Sequence, residues 1–183
     1  MALSNRSGGS SRKAIDTAIR ETSAANSEEN PLVEVLRRQV ANAYLVYLNY
    51  KHYHWQTFGP LFRDLHKLFD EFAEESLETT DELAERMRMI GQDPPFHPAE
   101  LEAHASVKPG SSDAKTMRAM VEEAARHAVL LISEFRHAVT VAEEHDDPGS
   151  VDLFSKIVQI YEKQEWWLRD ILEKGDGFFR AEA

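Results

Sequence analysis

Four side chains suited to holding a metal ion recur at helical spacing within a short stretch: His66 and Asp70 are four apart, and so are Asp81 and Glu85. Ligands one helical turn apart lie on the same face and can chelate a single ion. At about 100° per residue, all four fall within roughly one 100° sector of a helix. Height separates the pairs. Asp70 and Asp81 are eleven positions apart, roughly 16 Å along the axis at a rise of about 1.5 Å per residue. Metal bonds of about 2 Å cannot bridge that distance, so the two pairs cannot share an ion within one chain. Two arrangements remain. Either there are two separate weak sites, or His66 and Asp70 of one chain meet Asp81 and Glu85 of another, which a two-fold dimer with these helices antiparallel would achieve twice.

His54 fits the shared arrangement. It lies five residues before Gly59, and His66 lies seven after, so a hairpin turning at Gly59-Pro60 sets both imidazoles at similar height. Taken singly, histidines near a hairpin usually pack or cap, and acidic runs such as "DEFAEESLETTDELAE" usually form a solvated face. The joint spacing is what points to metal. The chain has no cysteine, which leaves imidazole and carboxylate ligands, a set that suits iron, zinc or manganese.

The elements that must position these residues are helical. From Pro31, apolar residues three and four apart (Leu32, Leu36, Val40, Tyr44, Tyr47, Leu48) mark a first helix to about Phe58. After Gly59-Pro60, a second carries Phe62, Leu65, Phe69, Phe72, Leu83, Met87 and Ile90 on one stripe and stops at Gly91. Residues 92–112 are broken by prolines and a glycine, leaving room for a turn or two of helix around Ala99 to Ala103. A third helix follows the cap candidates Ser111, Ser112 and Asp113 and keeps its spacing from Met117 to Ala142. "DDPGS" ends it, and a last helix runs from about Val151 to Lys174, closed by Gly175. Four long helices joined short, long, short predict an all-α four-helix bundle with a long crossover, holding a short helix, between the second and third, which is the ferritin-like connection.

Composition narrows the function. The 183 residues, 42% hydrophobic and 29% charged, suit one globular domain over residues 31–183. Residues 1–30 are rich in Ser, Asn, Ala and Gly and read as a flexible arm, neutral overall because Arg6, Arg12, Lys13 and Arg20 balance Asp16, Glu21, Glu28 and Glu29. With a net charge of −11, the body is poorly suited to gripping phosphates but attracts cations. The longest aliphatic and aromatic run, "AYLVYL", is too short to span a bilayer, and no secretory signal is evident. A soluble cytoplasmic protein is expected.

The stretches "HW", "LH", "LFDEF" and "DELAER", with the order His54, His66, Asp70, Asp81, Glu85, resemble the signature of Dps proteins, the ferritin-like mini-ferritins of bacteria. The spacing is similar to that of the family's ferroxidase ligands at all five positions, and the likeness extends over about residues 31 to 175, including "DDPGSVDLF" and "EKQEWWLRDIL". The resemblance implies a hollow dodecamer with di-iron sites at two-fold interfaces, where zinc can substitute for iron. It implies oxidation of Fe(II), typically by hydrogen peroxide in preference to dioxygen, and storage of ferric mineral. His54, His66 and Asp70 would hold one ion with Glu85 of the partner subunit, and Asp81 of the partner subunit would assist a second. Trp55 stands where the family keeps a tryptophan near the iron, able to intercept stray oxidising equivalents; filling space at an interface explains it equally well. Asp147 and Asp152 resemble acids of a three-fold entry pore, although Lys156 stands where a further acid is expected, and both aspartates could simply flank the start of the last helix.

Rival readings are weaker. A di-iron site within one bundle needs Glu-x-x-His on two helices, and only Glu134 to His137 fits. His52 points away from His54, and His97, His104, His127 and His145 match no ligand spacing, while Gln164 sits where some relatives carry an extra histidine. DNA binding, the alternative role, with nucleoid association as its consequence, rests on Arg6, Arg12 and Lys13 alone and is expected to be weak or absent.

Overall fold

The computed structural model describes residues 30–111 and 116–173, together with Lys13 and Thr17. The rest of the expected N-terminal arm lies outside the described residues. Five helices follow one another: α1 (Pro31–Gln56), α2 (Phe62–Met89), α3 (Pro98–His104), α4 (Met117–Glu144) and α5 (Pro148–Leu172). Among the described residues there is no strand.

Local chemistry sets the boundaries. α1 opens with Pro31 in its first turn and the Asn30 side chain accepting from Leu32 N at 2.9 Å. It ends at Gln56, two residues before the expected Phe58, and Thr57 Oγ1 donates back to Tyr53 O at 2.8 Å. Gly59 then turns the chain at φ +83, a conformation that side chains with a Cβ rarely adopt. α4 is capped by Thr116, whose side chain accepts from Ala119 N at 3.1 Å. The expected cap candidate Ser111 lies upstream of the helix, and Ser112 and Asp113 lie outside the described residues. α5 begins at Pro148, three residues earlier than the apolar pattern suggests, because Asp147 accepts from Ser150 N at 3.0 Å and Pro148 suits a first turn. It ends at Leu172, and the expected stop at Gly175 is outside the described residues.

The hairpins α1–α2 and α4–α5 pack together, α1 against α4 and α2 against α5, while α3 lies on α1. Tyr50, Phe69, Phe135, Phe154 and Tyr161 are fully buried between them. Phe135 stacks on Tyr161 with ring centroids 5.7 Å apart, so the stripes read from the sequence do meet in one core.

The crossover lacks an apolar period; it buries Leu101, Ala105 and Val107 and is otherwise held by polar bonds. Buried Asn42 accepts through Oδ1 from Ser106 N at 2.8 Å and Val107 N at 3.0 Å. Asn49 accepts from Gly110 N at 2.6 Å and donates to Lys108 O at 2.9 Å. Two amides of α1 thus fix the backbone between those buried side chains. At the far end of α2, Arg86 pairs with Asp147 and donates through Nε to Ser150 Oγ at 3.0 Å. Its guanidinium lies over Gly149, where a Cβ would come within 2.8 Å of it and make the guanidinium shift.

Candidate metal centre

The α1–α2 hairpin brings His54, in the last turn of α1, face to face with His66, near the start of α2. The ring centroids are 3.7 Å apart and the planes differ by 22°. His54 Nδ1 lies 2.7 Å from His66 O, and His66 Nδ1 lies 2.9 Å from His54 O. A carbonyl oxygen can only accept, so each Nδ1 carries a proton and Nε2 is the nitrogen left to bind a metal. Such bonds to the far nitrogen fix the orientation and tautomer of metal-binding imidazoles. Phe62 supports the pair, its ring 5.0 Å from that of His66.

Asp70 stands one turn beyond His66, but a residue that spacing did not single out takes it up. Lys51 Nζ lies 2.6 Å from Asp70 Oδ1. That hydrogen bond holds the Asp70 carboxyl below the usual carboxylate range, helped by His54, the Lys51 charge and His66 and opposed by burial. Asp70 is therefore anionic at neutral pH, with an ammonium where a metal cation would compete for it. The available signal for Lys51 was its position three residues before His54 on α1, which puts it on the same face.

Asp81 and Glu85 are exposed farther along α2, and neither is engaged by a hydrogen bond or ion pair among the described residues. Asp81 borders a groove of about 510 Å³ shared with Tyr44, Leu77 and Ala84. Among the described residues of the single chain, no group of three or more His, Cys, Asp or Glu side chains converges closely enough to hold a metal ion. The hairpin thus offers an oriented imidazole pair and a lysine-held carboxylate, and the other two carboxylates stand apart.

Trp55, beside His54, is 68% exposed, and Phe58 and Phe62 of the same hairpin are exposed as well. Asp147 differs from the expectation of a pore acid. It is only 4% exposed, caps α5 and pairs with Arg86, so its charge is turned inward and the helix-start alternative describes it. Asp152 is exposed, and Lys156 reaches Glu82 at 2.6 Å. Glu134 is occupied by Ser106 Oγ at 2.8 Å and Gln39 Nε2 at 3.3 Å, which removes it from any pairing with His137. Gln164 is buried, accepting from Tyr50 OH and donating to Glu75, each at 2.9 Å.

Residues 33–178 match the ferritin-like domain family. The X-ray structure of Dps from Thermosynechococcus elongatus superposes with a TM-score of 0.78 at 40% identity, over 90% of this chain and 98% of that one. The DNA protection during starvation protein of Brevibacillus brevis is 34% identical over 139 residues, 76% of this chain and 93% of its own length. The chain belongs to the Dps family. Its five helices are accordingly a ferritin-like four-helix bundle with the long crossover between α2 and α4. Dps from Vibrio cholerae O1, a member of a broad superfamily of ferritin-like diiron-carboxylate proteins, superposes with a TM-score of 0.74 at 27% identity, over 78% of this chain and 89% of that one. A Dps-type role in iron storage or DNA protection follows at the level of the family. Among the described residues, no helix is long and apolar enough to cross a membrane.

Proposed function

We propose that this Dps-family chain oxidises Fe(II), with hydrogen peroxide as the preferred oxidant, at sites shared between two subunits of a hollow dodecamer that stores the ferric product. The observation that carries the reading is the reciprocal bonding of His54 and His66, which commits Nδ1 of each ring to a backbone carbonyl and leaves both Nε2 atoms for a metal beside an ionised Asp70. Symmetry supplies the rest. A two-fold axis crossing antiparallel α2 helices at the level between Glu75 and Ser76 sets Asp70 against Asp81 of the partner subunit and His66 against Glu85 of the partner subunit in one operation. Leu77, 45% exposed next to that level, gives the contact an apolar centre.

Imidazole and carboxylate donors fit iron, and zinc would compete for them. Fe(II) is the substrate: His54, His66 and Asp70 bind it, Lys51 releases Asp70 as the cation arrives, and Glu85 of the partner subunit completes the donor set. Asp81 of the partner subunit supports a second, weaker position. Two Fe(II) ions each give one electron to peroxide, and taking both together cleaves its O–O bond to the level of water without releasing hydroxyl radical. Trp55, exposed in the single chain, would be covered by a neighbouring subunit and would absorb stray oxidising equivalents. Asp152 is the remaining candidate for steering Fe(II) through an entry pore. The acidic body, net −11, opposes DNA binding as the main activity and suits a cytoplasmic iron store.

Rapid mixing of the assembled protein with Fe(II) and peroxide tests the proposal. Saturable oxidation consuming two Fe(II) per peroxide, from a particle of dodecamer mass, is expected. Oxidation no faster than in buffer would contradict it.

A further inference from the structure

Where α5 finishes beside the start of α2, the bundle carries a groove of about 460 Å³. Leu61, Leu68, Trp166 and Ile171 line it, with the carboxylates of Asp64 and Asp170 among them. Trp166 is 51% exposed, Leu61 42% and Ile171 39%, an unusual concentration of bare apolar surface. It is separate from the face that bears Asp81.

The chain itself supplies a matching occupant. Ten residues, "KGDGFFRAEA", follow Glu173, and Ile171 already lines the groove two positions earlier. Phe178 lies five residues past Glu173, at most about 18 Å of extended chain, so the segment reaches the groove without leaving its own subunit. Gly175 and Gly177 lie between, residue types that allow a chain to reverse. Two phenylalanines followed by Arg180 complement an apolar floor that holds two carboxylates. The N-terminal arm, residues 1–29, has no aromatic residue to offer in their place.

We propose that Phe178 and Phe179 dock in the Trp166 groove of their own chain, with Arg180 pairing with Asp64 and Asp170. Docking would buttress the start of α2, because Leu65, which precedes His66, also lines the groove.

The absence of native cysteine allows a clean test. Leu61→Cys combined with Ala181→Cys, in the full-length assembled protein, is oxidised and analysed by non-reducing electrophoresis and peptide mass. A disulfide within one chain is expected, and it should be lost when Phe178→Ser and Phe179→Ser are added. The same two serine substitutions in the chain without added cysteines should raise the quenching of tryptophan fluorescence by acrylamide. A disulfide between chains would assign the groove to a second copy. That result, the absence of any disulfide, or a disulfide that survives the serine substitutions would each overturn the proposal, whatever the outcome for iron oxidation.

Discussion

The two ends of α2 carry the same kind of side chain in opposite states. At the start, His66 and Asp70 are held by partners in their own chain: a backbone carbonyl for one, Lys51 for the other. Near the end, Asp81 and Glu85 face outward with no partner among the described residues, while their neighbour Arg86 turns inward to Asp147. Orienting an imidazole requires fixed neighbours, so it must be done by the chain that carries it. Carboxylates that complete a site from across an interface need only exposure and the right height. On the proposed shared site, the contrast explains why one chain would supply half of a centre and why its helices alone do not gather the ligands.

The largest effect that would sharpen this contrast is at Arg86. Arg86→Met leaves Asp147 buried without its cation and is expected to cost about 3–5 kcal/mol in denaturant unfolding. Glu85→Gln, one residue away, should change stability by no more than about 0.5 kcal/mol. Equal losses at the two positions would erase the inward and outward distinction.

Next in size is the effect on oxidation. His66→Ala and Asp81→Ala should each slow peroxide-driven Fe(II) oxidation by about 100-fold, the upper end of what loss of a supporting residue costs a metal site. Loss at His66 with full activity in Asp81→Ala would favour separate sites and break the comparison.

Lys51→Met removes the ammonium that competes for Asp70. Zinc affinity of the assembled protein, read by calorimetry, should rise by up to about fivefold, the scale of an ion pair that is partly exposed to water. An unchanged affinity would take Lys51 out of the metal account.

The smallest effect separates loss of fold from protonation at the site. Burial pulls the His127 imidazole below its ordinary value of 6.5, against the opposing pull of Glu123, and its Nδ1 accepts from Asn49 at 3.4 Å. The unfolded chain takes up this proton where the folded chain resists it. The contribution of His127 to stability is therefore complete above its unfolded pKa, declines as pH falls through that value, and levels off below the folded one. Calorimetric melting should drop from about pH 7.5 to 5.5, and His127→Gln should flatten that drop without affecting the contrast along α2.

Much of this was legible in the sequence because it is periodic. The core stripes and the hairpin at Gly59 follow from spacing, and so does the shared height of His54 and His66, which their 3.7 Å ring separation makes concrete. What escaped was chemistry between segments distant in sequence. Lys51 reaches Asp70 nineteen residues on, and Asp147 meets Arg86 from the other hairpin, turning an apparent surface acid into a buried one. The cap at Thr116 escaped for a different reason: several Ser, Thr and Asp residues precede α4, and only the path of the crossover decides which one begins it. No periodicity reports on the amides of Asn42 and Asn49 that fix that path.

The shared site is tested most directly by mixing. His66→Ala and Asp81→Ala chains, each folded and assembled but inactive, are combined in equal amounts and allowed to exchange subunits. Each mixed dimer then holds one site in which both halves are intact, so about a quarter of wild-type activity should return if pairing is random. No recovery after demonstrated exchange, with assembly retained, would contradict a centre built from the start of one α2 and the end of another.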